Sequence, residues 1–312
     1  WRKKGRRGRL KLFTSKQIYA IAHICKIHMI YRAKKNLGQN FLKSEPALKK
    51  MMEAGKVSAE DLVLEIGPGK GVLTEKLLAK AGKVVAVEKD RELYEFLKIK
   101  FEKEIKSNTL MLVCGDILEF HMDEAILVFV NGLPGMRTQR TEDLNKNLKL
   151  RNYKIIANIP YNITGAILKK FLTAEIQPER MVLMVQREVG QRIVARDAKE
   201  SILSISVKAY GEPKLIMKVP ARYFSPAPKV DSVIIAISNI SRKVFESNQV
   251  EEEKFWEIVK KGFAHKRKKL SGNLKNIVSV ENLTLLALKD KRAEDLSLKD
   301  WILLIKKDTI SP

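Results

Sequence analysis

At 312 residues, 45% of them hydrophobic and 31% charged, the chain is long enough for about two domains around a sizeable core. Sixty Lys and Arg against thirty-six Asp and Glu give a net charge of +24, a field that attracts polyanions and points to nucleic acid over bland solubility or an anionic membrane surface. The two cysteines, Cys25 and Cys114, lie far apart, which excludes a disulfide framework and a zinc site and fits a reducing, cytoplasmic setting without a bound metal; no apolar run reaches the length of a membrane span.

Residues 1–44 contain no acidic residue. An apolar stretch at 18–31 is broken by His23, Lys26 and His28 and lacks the clean apolar centre and small-residue cleavage site of a signal peptide. Residues 1–33 are therefore expected to form a basic N-terminal extension, disordered or not native to the protein, with Met29 near the functional start; an Arg-rich organellar transit peptide is the other reading. Beyond it, short buried strands are expected at 62–66, 84–87, 110–113, 155–157 and 181–185, with later strands at 215–219 and 232–237. Helices fall between them: at 72–78, through Leu93, Phe96, Leu97 and Phe101, and through Ile163, Ile167, Leu168, Phe171 and Leu172. Such alternation predicts an α/β domain over 34–240 with a mainly parallel sheet covered on both faces. Residues 238–250 are polar and read as a linker, and 247–312 as a small helical domain in which Phe255, Trp256, Val259, Phe263, Leu270 and Leu274 recur at helical spacing. Residues 121–150 are ambiguous, with a possible strand at 125–130 followed by the turn signals Asn131-Gly132 and Pro134-Gly135.

Chemistry concentrates at the strand ends. Glu65-Ile66-Gly67-Pro68-Gly69-Lys70-Gly71 follows a buried strand and precedes a helix, so the glycines allow a ligand to approach backbone closely. The glycine spacing is not that of a dinucleotide fingerprint, and the run lacks the Gly-Lys-Ser/Thr ending of a phosphate-binding loop, which disfavours NAD and ATP. Glu88 ends the second strand, where a carboxylate can accept both ribose hydroxyls of a nucleoside, and Asp116 follows the third, where it could receive an adenine amino group. Either acid alone reads as a cap or a solvated loop residue; together they describe an adenosine pocket. After the fourth strand, Asn158-Ile159-Pro160-Tyr161 offers an amide oxygen, a backbone carbonyl and an aromatic face, a set suited to a planar base that carries an amino group.

With these motifs in place the chain resembles the ribosomal RNA adenine dimethyltransferases. The resemblance runs from Lys34 to about Lys275 and rests on Asn36-Leu37-Gly38-Gln39-Asn40-Phe41-Leu42, the glycine-rich turn, Val87-Glu88-Lys89-Asp90, Gly115-Asp116 and Asn158-Ile159-Pro160-Tyr161-Asn162-Ile163. It continues through Val185-Gln186-Arg187-Glu188-Val189 and Phe224-Ser225-Pro226-Ala227-Pro228-Lys229-Val230-Asp231-Ser232, and closes with Phe263-Ala264-His265-Lys266-Arg267-Lys268-Lys269-Leu270. It implies a Rossmann-like class I methyltransferase domain with a small helical C-terminal RNA-binding domain, using S-adenosyl-L-methionine. On the matched motifs Asn40, Leu42, Gly67, Gly69, Glu88, Asp116 and Asn158 would contact that cofactor. Asn158, Pro160 and Tyr161 would face the target adenine, with Phe224 on its other side. Arg187 and Arg192, which together with Arg196 are expected on one helix, and Lys266, Arg267, Lys268 and Lys269 would meet RNA.

The implied reaction is dimethylation of two adjacent adenosines in a terminal hairpin loop of small-subunit rRNA, within a pre-ribosomal subunit during ribosome biogenesis, by a monomer. Hydrogen bonds from the adenine amine to Asn158 and the Pro160 carbonyl would localise its lone pair, so catalysis is by orientation and electrostatic preorganisation. Three features depart from the family pattern: the extension, the long stretch between Asp116 and Asn158, and residues 197–201, which lack glycine. The competing readings are the macrolide-resistance type of methyltransferase, which acts on large-subunit rRNA, and a non-catalytic RNA-binding assembly or transcription factor.

Overall fold

The computed structural model describes residues 31, 33, 34, 37–122, 129 and 153–310. The extension up to residue 30, Asn36 and most of 121–150, including the 125–130 strand reading apart from Phe129, lie outside the described residues.

A seven-stranded sheet organises the chain. Its strands are β2 (Leu62–Ile66), β3 (Lys83–Glu88), β4 (Leu110–Cys114), β5 (Tyr153–Asn158), β6 (Arg180–Gln186), β7 (Glu212–Val219) and β9 (Ser232–Ser238), in the order β4-β3-β2-β5-β6-β9-β7. The first five run parallel, while β9 is antiparallel to both β6 and β7. A separate ribbon pairs β1 (Phe41–Leu42) with β8 (Phe224–Ser225).

Alternation along the central strands explains why both sheet faces are covered. Leu64, Ile66, Val85, Val87, Ile155, Ala157, Leu183 and Val185 enter one apolar core, and Val63, Val84, Ala86, Ile156, Val182 and Met184 enter the other. The second core is closed by α1 (Glu45–Gly55), α2 (Val72–Leu78), α3 (Arg91–Lys100) and the short α4 (Glu102–Lys106). Across the sheet lie α5 (Thr164–Leu172), α6 (Arg187–Ile193) and α7 (Ile202–Lys208).

Two expectations change here. Residues 238–250 are not a bare linker: they hold a helix, α8 (Lys243–Asn248), whose Phe245 is buried. Its ring lies 5.5 Å from Tyr210 and 5.2 Å from Phe255 of α9 (Glu252–Gly262), so an aromatic chain carries the core of the sheet on into the C-terminal helices. Arg242 fixes the crossing by donating to Glu252 and to the carbonyls of Thr173 and Ala174. The single apolar pair Val244-Phe245 among polar neighbours has no periodicity for a sequence reading to find. Secondly, α6 ends at Ile193 and Ala195 turns left-handed (φ 53°), so Arg196 leaves the helix that carries Arg187 and Arg192.

The helical domain continues through α10 (Leu270–Asn273), α11 (Val280–Leu285) and α12 (Leu298–Ile310) around the fully buried Trp301. Among the described residues no helix is long and apolar enough to cross a membrane.

Close packing makes one glycine testable. A Cβ at Gly190 would lie 2.3 Å from the Val233 side chain, so α6 sits hard against β9 there. Gly190→Ala is expected to lower unfolding free energy by about 1–3 kcal/mol through overpacking, read as a shifted urea midpoint at unchanged slope.

Candidate active site

The sheet order reverses between β2 and β5, and the crevice beyond the carboxyl ends of such strands is where α/β folds bind ligands. A cleft of about 1210 Å³, including its open mouth, lies there. Asn40, Leu42, Gly67, Gly69, Glu88, Asp116, Asn158, Pro160 and Tyr161 all line it, so residues dispersed over more than a hundred positions converge as expected. The glycine-rich turn folds this way because Gly67, Gly69 and Gly71 all take positive φ (65°, 60° and 76°). A Cβ at Gly71 would strike the Phe101 ring at 2.6 Å, whereas one at Gly67 would meet only Pro160, at 4.0 Å. Gly71 thus serves packing, and Gly67 leaves backbone open to the cleft.

Glu88 is buried and anchored. One carboxylate oxygen accepts from the Gly69 N–H at 2.9 Å, the other from the Asp90 N–H at 2.9 Å. Burial raises its pKa, and those N–H donors oppose the rise. Each oxygen keeps a further lone pair for a hydroxyl donor. Asp116 is held by Lys89 at 2.7 Å and by the Leu118 N–H at 2.9 Å, and the hydrogen bond from Lys89 keeps its carboxyl below the usual range.

Asn158, the last residue of β5, donates from Nδ2 to the Asn40 carbonyl at 3.0 Å. That bond uses one of its two N–H donors and fixes the amide's orientation, so Oδ1 is presented as the acceptor. The Pro160 carbonyl takes a long bond from the Ile163 N–H (3.3 Å) and retains a second lone pair. The Tyr161 hydroxyl is fixed against Ser232 Oγ at 2.6 Å, which locks the ring's position at the mouth.

Phe224 departs from expectation. It does not line the cleft; it is buried opposite Leu42 in the β1–β8 ribbon, where antiparallel pairing turns its ring into the core. In this arrangement it supports Leu42, which does line the cleft.

Two groups escaped the sequence reading. Glu65 is fully buried in the cleft wall, its Oε2 has no hydrogen-bond partner, and burial pushes its pKa up to about 8, with the Thr74 hydroxyl acting the other way. An orphaned buried carboxylate is costly unless a cation meets it. Gln39 is the second. It accepts from the Tyr31 hydroxyl (2.8 Å) and the Lys34 N–H (2.7 Å) and donates to Asp90 (3.0 Å), while Lys34 Nζ also reaches Asp90 at 2.9 Å. This cluster ties the segment at Tyr31, assigned above to the extension, to the residue whose N–H holds Glu88.

The RNA-facing candidates occupy two places. Arg187 and Arg192 are exposed on α6. Lys266, Arg267, Lys268 and Lys269 are exposed in the turn after α9, shaped by Asn273 Nδ2, which donates to the Gly262 and His265 carbonyls at 2.6 and 3.1 Å. Lys269 pairs with Asp290 at 2.7 Å; among the described residues the other three have no carboxylate partner.

The family model for ribosomal RNA adenine dimethylases matches residues 30–308. The chain belongs to that family. Among curated relatives, a ribosomal RNA small subunit methyltransferase A of Dehalococcoides mccartyi is 36% identical over 288 residues, 90% of each chain. The protein of that name from Rippkaea orientalis is 38% identical over 282 residues, covering 86% of this chain and 95% of its own. Of solved structures, a dimethyladenosine transferase from Plasmodium falciparum superposes with a TM-score of 0.66 at 25% identity, covering 86% of this chain and 96% of that one. A 23S rRNA methyltransferase, ErmE, reaches 0.65 at 22% identity, covering 86% and 100%, and so shares the fold. As a member of the family the protein is an S-adenosylmethionine-dependent rRNA adenine dimethyltransferase, and the class I methyltransferase architecture read from the sequence is the observed one.

The cleft fits such a cofactor. Glu88 at the β3 tip would meet ribose hydroxyls, Asp116 beyond the β4 tip the adenine amino group, the open backbone at Gly67 a closely approaching ligand, and Glu65, whose Oε2 is unpartnered, a cationic amino group.

Proposed function

We propose that this protein dimethylates the exocyclic amines of two adjacent adenosines in a terminal hairpin loop of small-subunit rRNA, within a maturing subunit. The observation that carries the reading is the state of Asn158: its amide nitrogen is committed to Asn40, and its oxygen is left as an acceptor in the same cleft as Gly67 and Glu88. When bound, the cofactor supplies an activated sulfonium methyl. The protein's task is the nucleophile, an amine whose lone pair is delocalised into the ring. In the first transfer Asn158 Oδ1 and the Pro160 carbonyl accept the two amine hydrogens, which favours a pyramidal nitrogen with a localised lone pair; one proton leaves to water after the methyl is bound, and in the second transfer the single remaining N–H keeps one of these acceptors before it too is lost. Tyr161, held by Ser232, offers a face on which the base stacks. A base must be unstacked to reach this cleft, which costs less in a loop than in a duplex. The enzyme acts as a monomer in the cytoplasm, with both domains on the RNA.

Incubation with unmethylated small subunits should place methyl groups on adjacent adenosines of small-subunit rRNA. Methylation of large-subunit RNA instead supports the macrolide-resistance type of activity, and RNA binding without methylation a non-catalytic role. Reversing Lys266, Arg267, Lys268 and Lys269 to Glu should weaken RNA binding and flatten its log–log salt dependence by about 3, because Lys269 is already paired with Asp290. Cofactor affinity, measured by calorimetry, should not change. An unaltered salt slope would move the docking surface away from this turn.

A further inference from the structure

Residues 37–42 line the active cleft as one continuous strap. On one side the strap is pinned to Asp90, whose side chain is shielded from solvent. Asp90 Oδ1 accepts from Lys34 Nζ at 2.9 Å and from the Glu92 N–H at 3.0 Å, the second bond capping α3. Oδ2 accepts from Gln39 Nε2 at 3.0 Å, and the Tyr31 hydroxyl sits between Oδ2 and Gln39 Oε1. Burial and the Asp90 carboxylate hold that hydroxyl well above its ordinary pKa, so it stays a donor. On the other side the strap reaches the reacting centre, where the Asn40 carbonyl accepts from Asn158 Nδ2 at 3.0 Å.

The Gln39 amide has one usable orientation. Its Oε1 accepts from the Lys34 N–H at 2.7 Å, which leaves Nε2 aimed at Asp90. Capping α3 needs Oδ1 of Asp90 alone. Oδ2 is given wholly to the strap, and the Asp90 N–H to Glu88 at 2.9 Å. One buried carboxylate therefore joins the ribose-facing acid, the wall of the cleft and, one residue beyond Gln39, the carbonyl that orients Asn158.

We infer that Gln39 and Asp90 form a positioning pair that sets the cofactor-facing wall and the Asn158 amide together, on the reading above that Asn158 Oδ1 accepts from the reacting amine. Undocking the strap acts twice. The cleft loses a wall, which weakens cofactor binding, and the Asn40 carbonyl leaves Asn158, whose Oδ1 then turns away from the amine. A tie that served the fold alone would change stability and neither of these.

The test exchanges donor and acceptor across the pair in the full chain. In Asp90→Asn the new amide can keep its oxygen on Lys34 and Glu92, so the cap of α3 survives, but its nitrogen then faces Gln39 Nε2, donor against donor. Gln39→Glu sets two carboxylates face to face. Each single variant should bind S-adenosylhomocysteine about tenfold more weakly by calorimetry, the size of one hydrogen bond to a charged group. Each should also lose about tenfold in single-turnover methylation of small subunits at saturating cofactor, where affinity no longer counts. The double variant Gln39→Glu/Asp90→Asn again sets a donor against an acceptor, and should recover both quantities to within about threefold of wild type. Melting curves fix an assay temperature at which every variant is folded. Single variants that melt earlier yet keep wild-type affinity and saturated rate overturn the positioning role, as does a double variant that recovers neither. Weaker affinity with an unchanged saturated rate overturns the link to Asn158. Asn158→Ala, run alongside, separates the two readings. If it loses rate and the single variants do not, only the positioning pair falls; if it keeps the wild-type rate, the assignment of Asn158 has failed and the pair's link to the amine with it.

Discussion

Asn158→Ala should lower kcat for RNA methylation by about 10²- to 10³-fold, the loss typical when one preorganised polar contact to the reacting group is removed. The size follows from how the side chain is committed. Nδ2 donates to the Asn40 carbonyl at 3.0 Å, so the amide cannot rotate to present its nitrogen to the base without breaking that bond. Alanine removes the acceptor and frees the Asn40 carbonyl as well, so cofactor affinity should also fall, though by less than tenfold. Asn158→Asp separates the two roles. It keeps an acceptor but loses the donor, and sets a carboxylate against the Asn40 carbonyl; its cofactor affinity should fall at least as far as in the alanine variant. Single-turnover methylation and calorimetry read the two effects independently. An alanine variant within threefold of wild-type kcat would remove Asn158 from the reacting amine.

The parts of the fold that sequence made visible are those with a repeating cause. The apolar run at 181–185 is buried on both sheet faces, as its continuous hydrophobicity demands, and in 62–66 Val63, Leu64 and Ile66 are buried beside Glu65. The expected strand at 155–157 is longer in the structure, Tyr153–Asn158, because Lys154 stays inside it: Nζ reaches Asp61 at 2.8 Å and the Lys56 carbonyl at 2.9 Å. A buried lysine reads as polar until its partner, far away in sequence, is known. Helix α1 carries a local signal: Ser44 caps it by accepting from the Ala47 N–H at 3.3 Å, and Ala47, Leu48, Met51 and Met52 form its buried stripe. The Gln39–Asp90 contact has none, since nothing local relates residues fifty-one positions apart. In the same way Gly67, Glu88, Asp116 and Asn158 are legible because each lies at or just beyond a strand end, whereas the side on which Phe224 lies depends on pairing with Leu42.

Cofactor binding at pH 7 should release close to one proton from the wild-type protein and almost none from Glu65→Gln. Glu65 is buried without a partner for Oε2, and that burial lifts its pKa to about 8, so at neutral pH the folded protein holds it protonated. In the unfolded chain it would ionise near its ordinary value of 4.5. The folded state therefore binds more protons between those two values. The group's contribution to stability is full below about 4.5 and declines as pH rises toward 8, and Glu65→Gln should flatten that decline. A cationic amino group entering the cleft reverses the preference, since it favours the ionised carboxylate and expels the proton. Affinity should consequently rise between pH 6 and 8 in the wild type, by up to about tenfold per pH unit, and stay flat in the glutamine variant. Calorimetry in two buffers of different ionisation enthalpy gives the proton count directly. Equal apparent enthalpies for the wild type in both buffers would mean that the cation does not meet Glu65 and that this carboxyl stays neutral throughout the binding cycle.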